Sequence, residues 1–508
     1  MKSVLITLLA SAALTASAQV NIDFDAGVDA NAGNSELAPH YILANRGGTV
    51  TQQYSALAHA SLAHALDTTT RFSWGAKVEL WGGWASKTDY YDFRIVPETA
   101  FGVPNHGVRP ASFWLQQAFG EVKYRGVLLT VGAKHYGSPM VNGDLSSGDL
   151  VRSGNSRPMP GFQVGFVNFQ NVPFTRGWVQ IDGEIGYFKP GDGKWLEQHY
   201  NYYNHFITTG WWYNYKRAHL RSNPTKPLVV TFGMQAASQF GGTVTHYDKG
   251  IAVLTYKQKS DLEAFFKAFI LSTGDKSTGD KFFVGNHLGT WDIALDYRLR
   301  NGTRLRAYHQ HFAEDGSGIG LRNGFDGLWG LEYKAPKAQI VDGAVVELFD
   351  FTNQSGPIHW APGDHEGTPL TRESTGGDDY YNNYAFNGYQ NRGMSIGSPM
   401  AVAPIYNTDG YMQYADNRLR AFHAALTGQI AERLRYRAMV STRKSWGSVF
   451  QPRQKAVTGT SWMVEASFAA TPRLDVKAQV AADHGSLPGD NFGALLSINY
   501  HGNFSLGK

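Results

Sequence analysis

The chain has 508 residues, of which 17% are charged and 13% aromatic, with 57 Gly, no Cys and a formal net charge of +4; its mean hydropathy is −0.32. It is too apolar for a disordered chain, and no apolar run approaches the roughly 20 residues that a spanning helix needs. The absence of Cys excludes a disulfide scaffold and a thiolate metal centre, and the small net charge implies no nucleic-acid role.

Residues 1–18 read as a secretory signal peptide. Lys2 supplies the positive start, residues 4–14 the apolar stretch, and Ala16-Ser17-Ala18 the small-residue site, with cleavage before Gln19. No Cys follows, so a lipoprotein anchor is not expected. The mature chain, 19–508, leaves the cytoplasm for a space where a stray thiol is a liability.

Strict alternation then begins. Phe72, Trp74, Ala76, Val78 and Leu80 alternate with Arg71, Ser73, Gly75, Lys77 and Glu79. One face suits lipid or a core, and the other needs water or polar partners. Across 117–134, a two-residue turn at Arg125-Gly126 pairs Tyr124 with Val127, Val122 with Leu129, Gly120 with Val131 and Ala118 with Ala133. All fall on one face, and a slip of one residue would mix the faces.

Residues 140–161 are too polar for a strand and too rich in Gly and Pro for a helix. Their Asp, Asn, Ser and Arg side chains serve either the loop's own backbone or a hydroxyl-rich ligand. Strands follow at 161–169 and 179–188. The segment 199–213 clusters Tyr, Trp and Asn, and 189–226 as a whole reads as a long loop. A strand at 228–239 precedes one helical signal. Ser260-Asp261-Leu262-Glu263 resembles a capping box. Leu262, Phe265, Phe266, Phe269 and Ile270 then recur at helical spacing, an amphipathic helix near 260–271. It is expected to plug a barrel, to lie on its periplasmic rim, or to pack on its wall.

Trp291, Ile293, Leu295, Tyr297 and Leu299 alternate with Asp292, Asp296, Arg298 and Arg300. A three-residue loop, Arg300 to Gly302, pairs Tyr297 with Leu305 and Leu295 with Ala307. It keeps Arg298, Arg304 and Arg306 on the polar face. His309 and His311 share one strand face, so two metal ligands are geometrically possible. That face is the apolar one, which favours a headgroup-level position over a metal. Gly316, Gly318 and Gly320 lack the strand–loop–helix order of a phosphate cradle. Gly393-Met394-Ser395-Ile396-Gly397 matches the serine-hydrolase elbow, but Pro399 discourages the helix that the elbow requires. Residues 376–384 combine Tyr with Asp and Asn, a chemistry that suits sugars or an interfacial aromatic girdle. Further strands read at 343–352, 419–430, 434–442, 461–469 and 474–481, and from Phe492 to His501.

Strands of this length, joined by short turns on one side and long loops near 84–112, 135–160, 189–226 and 353–415 on the other, point to an all-β fold. It is a transmembrane antiparallel β-barrel of about 16–18 strands with a few short helices.

Ordered blocks sharpen this reading. They are Trp114-Leu115-Gln116-Gln117-Ala118 with Val131-Gly132; Ser153-Gly154-Asn155-Ser156-Arg157-Pro158-Met159-Pro160-Gly161; Leu288-Gly289-Thr290-Trp291-Asp292; Glu314-Asp315-Gly316-Ser317-Gly318 with Asp326-Gly327-Leu328-Trp329-Gly330; Glu347 through Ser355-Gly356-Pro357; and Gly377-Asp378-Asp379-Tyr380-Tyr381-Asn382 running to Ile396-Gly397-Ser398-Pro399. With them the chain resembles the Wzi family of outer-membrane capsule-assembly proteins, in its Bacteroidetes form. The resemblance implies a closed barrel of about eighteen strands, small helices on the periplasmic side, and outer loops that close the lumen. It also implies a non-enzymatic surface lectin that anchors exported capsular polysaccharide at the outer membrane of a Gram-negative bacterium. The expected partners are that polysaccharide and outer-membrane lipid, with a monomeric protein and no cofactor or metal. The alternatives are a porin or exporter, and a hydrolase using Ser395. Candidate polysaccharide-binding residues are Asp149, Arg152, Asn155, Arg157, Asp378, Asp379, Tyr380 and Tyr381, which offer hydrogen bonds to hydroxyls and Arg charges to an acidic polymer.

Overall fold

The computed structural model describes residues 20–92, 104–270, 285–314, 316–357, 359–360, 374–383 and 385–506. The expected signal peptide lies outside the described residues, as does Tyr384 of the 376–384 cluster.

The barrel strands, in chain order, are β1 (Val20–Leu37), β2 (Gln52–His64), β3 (Phe72–Ala85), β4 (Phe113–Tyr124), β5 (Val127–Ala133), β6 (Pro160–Phe166), β7 (Val179–Phe188), β8 (Trp212–Ser222), β9 (Leu228–Phe240) and β10 (Asn286–Arg298). They continue with β11 (Arg304–Ala313), β12 (Gly327–Lys334), β13 (Gly343–Asp350), β14 (Leu419–Ala431), β15 (Leu434–Gly447), β16 (Pro452–Thr471), β17 (Leu474–Gly485) and β18 (Asn491–Leu506). The two residues Gln170–Asn171 continue β6 against β7, so the sheet counts as eighteen strands. Every neighbouring pair is antiparallel. The sheet closes because β1 pairs with both β2 and β18, with Val28 opposite Ala58 on one side and Ile498 on the other.

Closure satisfies the backbone of every strand and leaves no edge, which is what allows a sheet to stand in lipid. The alternation decides which way it faces. On β10, Ile293, Leu295 and Tyr297 are exposed on the outer wall while Asp292 is buried inside. Leu129, Val164, Leu220, Phe232, Leu331, Phe422, Val464 and Leu496 continue the exposed apolar wall around the barrel. Among the described residues, no helix is long and apolar enough to cross a membrane; the strands cross.

Both turn registers follow the spacing. Tyr124 pairs with Val127 and Ala118 with Ala133. Arg125 takes a positive φ of 54° in the tight turn. Tyr297 pairs with Leu305 and Leu295 with Ala307 around the three-residue loop, with Gly302 left-handed at φ 87°.

Two expectations are corrected, and the place of the 260–271 helix, left open between lumen, rim and wall, is fixed at the wall. The segment 189–226 is not one loop, because β8 lies inside it; its outward positions Asn214 and Lys216 are polar and conceal the alternation. The helices α1 (His40–Leu43), α2 (Gly193–His199), α3 (Leu262–Ile270) and α4 (Gly316–Ile319) all lie in connections at the long-loop end, not at the short-turn, periplasmic side. Turns such as Arg125-Gly126 are too short to hold a helix. Finally, α3 neither plugs the lumen nor lies on the periplasmic rim. It packs on the outer wall, and its cap is Asp261, whose Oδ1 accepts from the Ala264 amide at 2.9 Å, rather than Ser260.

Candidate functional site

Loops 134–159 and 374–418 fold into the barrel and meet there. Loop backbone lacks a strand ladder, and its buried amides and carbonyls need other partners. The lumen wall and the loops' own polar residues supply them. Glu347 on β13 accepts from Ser146 Oγ and the Ser147 amide, each at 2.6 Å, and from the Tyr308 hydroxyl. His423 on β14 donates through Nε2 to the Leu145 carbonyl at 2.7 Å. Gln310 on β11 accepts from the Leu150 amide at 3.3 Å. The two loops are also tied together. The Tyr381 hydroxyl donates to the Leu150 carbonyl at 2.6 Å and the Tyr389 hydroxyl to the Val151 carbonyl at 2.7 Å. Ser153 Oγ donates to the Gly397 carbonyl at 2.7 Å. An aromatic cluster of Phe312, Phe351, Tyr380, Tyr381, Tyr389 and Tyr414 fills the space between them.

The eight sequence-selected residues occupy this plug. Asp149 is fully buried. Its Oδ2 accepts from Ser138 Oγ (2.5 Å), Gln310 Nε2 (3.0 Å) and Gln235 Nε2 (3.2 Å), and its Oδ1 from the amides of Val151 and Arg152. Arg152 is paired with Glu184 on β7, and its guanidinium lies 3.6 Å from the Tyr215 ring centre and 4.3 Å from that of Tyr136. Asn155 bridges the Asn45 amide and the Ser395 carbonyl. Asp378 accepts from Ser355 Oγ at 2.6 Å, and Asp379 accepts from Asn417 Nδ2 at 2.8 Å. The Tyr380 hydroxyl accepts from Asn323 Nδ2 at 2.7 Å, and the Tyr381 hydroxyl is the loop tie already described.

Arg157 differs from the others. It is half-buried, its guanidinium stands 4.8 Å from the Trp114 ring centre, and its Nε has no hydrogen-bond partner. Burial and the neighbouring Arg392 push its ionisation down to about 9. It lines a cleft of about 300 Å³ at the long-loop end, together with Arg109, Lys194, Arg392, Trp195 and Tyr90. Arg109 and Lys194 are exposed, and the described lining contains no Asp or Glu. Trp195 on α2 is held flat by His199, with ring centres 3.9 Å apart. Cationic groups beside aromatic faces can bind carboxylate- or hydroxyl-bearing sugars. Apart from Arg157, these cleft residues escaped the sequence reading. They come from three connections, Tyr90 with Arg109, Lys194 with Trp195, and Arg392, that share no motif.

The other motifs have structural places. Ser395 is fully buried, and no helix directly follows it; the next helical turn is Pro404–Tyr406. His309 stacks on Trp329 at 3.5 Å on the outer wall, the face its register predicts. Gly318 lies in the single turn of α4, where a Cβ would press on Ala313.

No family model matches the chain, and no curated protein matches it. Among solved structures it is similar to Wzi of Escherichia coli, described as "an Outer Membrane Protein Involved in Group 1 Capsule Assembly" and "a Carbohydrate Binding Beta-Barrel". The two share 13% identity over 97% of this chain and 87% of that one, with a TM-score of 0.53. Acinetobacter baumannii OccAB4 shares 13% identity over 96% of this chain and all of that one, with a TM-score of 0.45. Pseudomonas aeruginosa OccD3 shares 10% over 96% and 91%, also with a TM-score of 0.45. The fold is that of a Gram-negative outer-membrane β-barrel.

Proposed function

We propose that the chain is a Wzi-like, non-enzymatic surface lectin that binds and anchors exported capsular or other surface polysaccharide as a monomer. The observation that carries this reading is the pairing of a lumen filled by bonded loops with a cationic, aromatic-walled cleft open at the long-loop end. A porin needs a continuous aqueous path through the barrel, whereas here loop residues bond directly to inward side chains from β7, β9, β11, β13 and β14. Of the eight sequence-selected residues, Arg157 contacts the polymer, and the remaining seven hold the loops that shape the cleft. Arg109, Lys194 and Arg392 add charge, and Trp195 offers a stacking face.

Binding of surface polysaccharide extracted from the producing cells to the purified protein tests the reading. Arg157→Gln and Trp195→Ala should each weaken binding at least several-fold, with the barrel still resisting unfolding in cold detergent. Absence of binding by the unaltered protein, together with steady current across a planar bilayer, would overturn it in favour of a channel.

A further inference from the structure

The helix α3 presents the wrong face to the protein. Helical spacing gathers Leu262, Phe266, Phe269 and Ile270 on one side, the side a globular fold would bury. All four are exposed, Leu262 by 89% and Phe266 by 61%. The buried side is instead Ala264 and Ala268 with half of Phe265. They pack on Tyr187, Trp212 and Phe240, with Phe265 ring centres 5.0, 5.0 and 5.1 Å from theirs.

Those three aromatics sit at outward positions of β7, β8 and β9. Beside and below them the apolar wall continues, interrupted under the helix by Asn214 and Lys216 of β8. Phe162 pairs with Tyr187, and Val164, Leu220 and Phe232 below are exposed. This is the surface that the alternating strands dedicate to lipid. The helix therefore lies against the top row of the lipid-facing wall, with its apolar side turned outward at the same level.

A second observation comes from beneath the helix. Lys216 is an outward residue of β8, yet it is half-buried. Its Nζ donates to the Ala268 carbonyl at 2.7 Å and to Asn214 Oδ1 at 2.9 Å. In water an outward lysine needs no such cover. Beside acyl chains it does, because there is no solvent to hold the charge, and a carbonyl in the last turn of a helix is the favourable end for a cation.

We propose that α3 is an interfacial helix embedded in the outer leaflet, its Leu262–Phe266–Phe269–Ile270 face covered by lipid acyl chains. Its polar edge, where Lys267 pairs with Glu263 at 2.8 Å, meets the headgroups. This is the arrangement of an amphipathic helix lying in a membrane surface.

The chain has no native Cys, so single nitroxide labels can be placed cleanly. Labels at Phe266→Cys and Leu262→Cys would be compared with Leu295→Cys on the barrel wall and Thr225→Cys in a short turn. The protein would be reconstituted in vesicles of phosphatidylethanolamine and phosphatidylglycerol. Collision with oxygen, relative to collision with a water-soluble nickel chelate, should match Leu295→Cys at both helix positions and exceed Thr225→Cys several-fold. A ratio equal to that of Thr225→Cys would place the face in water. Protection from both reagents would place it against protein. Either result overturns the proposal. Heat-modifiable migration of each labelled variant verifies that it has folded.

Discussion

Removing the Asp149 carboxylate should loosen the plug by an amount that the hydrogen bonds fix in advance. In Asp149→Ala the buried amides of Val151 and Arg152 lose their acceptor. The side chains of Gln235 and Gln310 keep a fallback on Asp292, at 3.0 and 3.4 Å, and Ser138 can turn elsewhere. Two orphaned amides at about 1–3 kcal/mol each give about 4 kcal/mol against the docked plug. That is about a thousandfold in the population of the locally open state. Asp149→Asn retains an acceptor for both amides and should lose far less. Hydrogen exchange of the segment 138–157 in detergent micelles reads this directly, since local opening governs exchange there. The expected order is Ala fastest, Asn intermediate and the unaltered protein slowest, with the strands unchanged. Equal exchange in all three would refute the idea that Asp149 anchors the plug and, with it, the reasoning that its polar groups are structural.

Other outcomes follow from single contacts. Burial pushes Asp192, beside α2, up to about 6. A raised carboxyl favours folding fully below its unfolded value and loses that contribution as pH rises through the folded one. Asp192→Asn should therefore add up to about 3 kcal/mol of stability at pH 8, read as a higher thermal midpoint, and change little at pH 4; a gain at both pH values would refute the argument. Gly330 leaves the space in which the Tyr308 ring crosses to Glu347, and a Cβ there would overlap the ring. Gly330→Ala should cost about 1–3 kcal/mol, read as earlier loss of heat-resistant migration. Lys216→Met should make lifting of α3 cheaper by up to about 1 kcal/mol, because an uncovered lysine near the interface is what opposes it; exchange of the α3 amides should quicken.

Most strands were legible because a barrel wall repeats one rule, apolar outward and polar inward, and tight turns permit a single register. Tyr124 opposite Val127 and Tyr297 opposite Leu305 follow from that alone. The loops offered no such rule. Asp149, Asn155, Asp379 and Tyr381 have the composition of a sugar site because a buried loop needs what a hydroxyl-rich ligand needs, namely side chains that donate and accept. Composition cannot separate the two; burial can. The cleft was illegible for a different reason. Arg109, Lys194 and Arg392 stand on three different long connections that meet only in the folded chain, and no local spacing encodes that.

Four barrel strands, β1, β2, β8 and β12, were not read from the sequence, and for β8 the cause joins it to α3. A strand facing lipid advertises itself by an unbroken apolar outer row, and β8 breaks its row at Asn214 and Lys216. Polar residues at outward positions are tolerable only where something shields them, and here the shield is the last turn of α3, with Ala268 supplying the carbonyl. The helix in turn can lie that close because Ala264 and Ala268 face the wall and leave its large residues free. The interruption that hid β8 and the small residues on the inner side of α3 are thus two halves of one contact. A strand of spanning length whose alternation fails at two adjacent outward positions is a sign that another element covers the wall there, and the helix with alanines four apart is the element to look for.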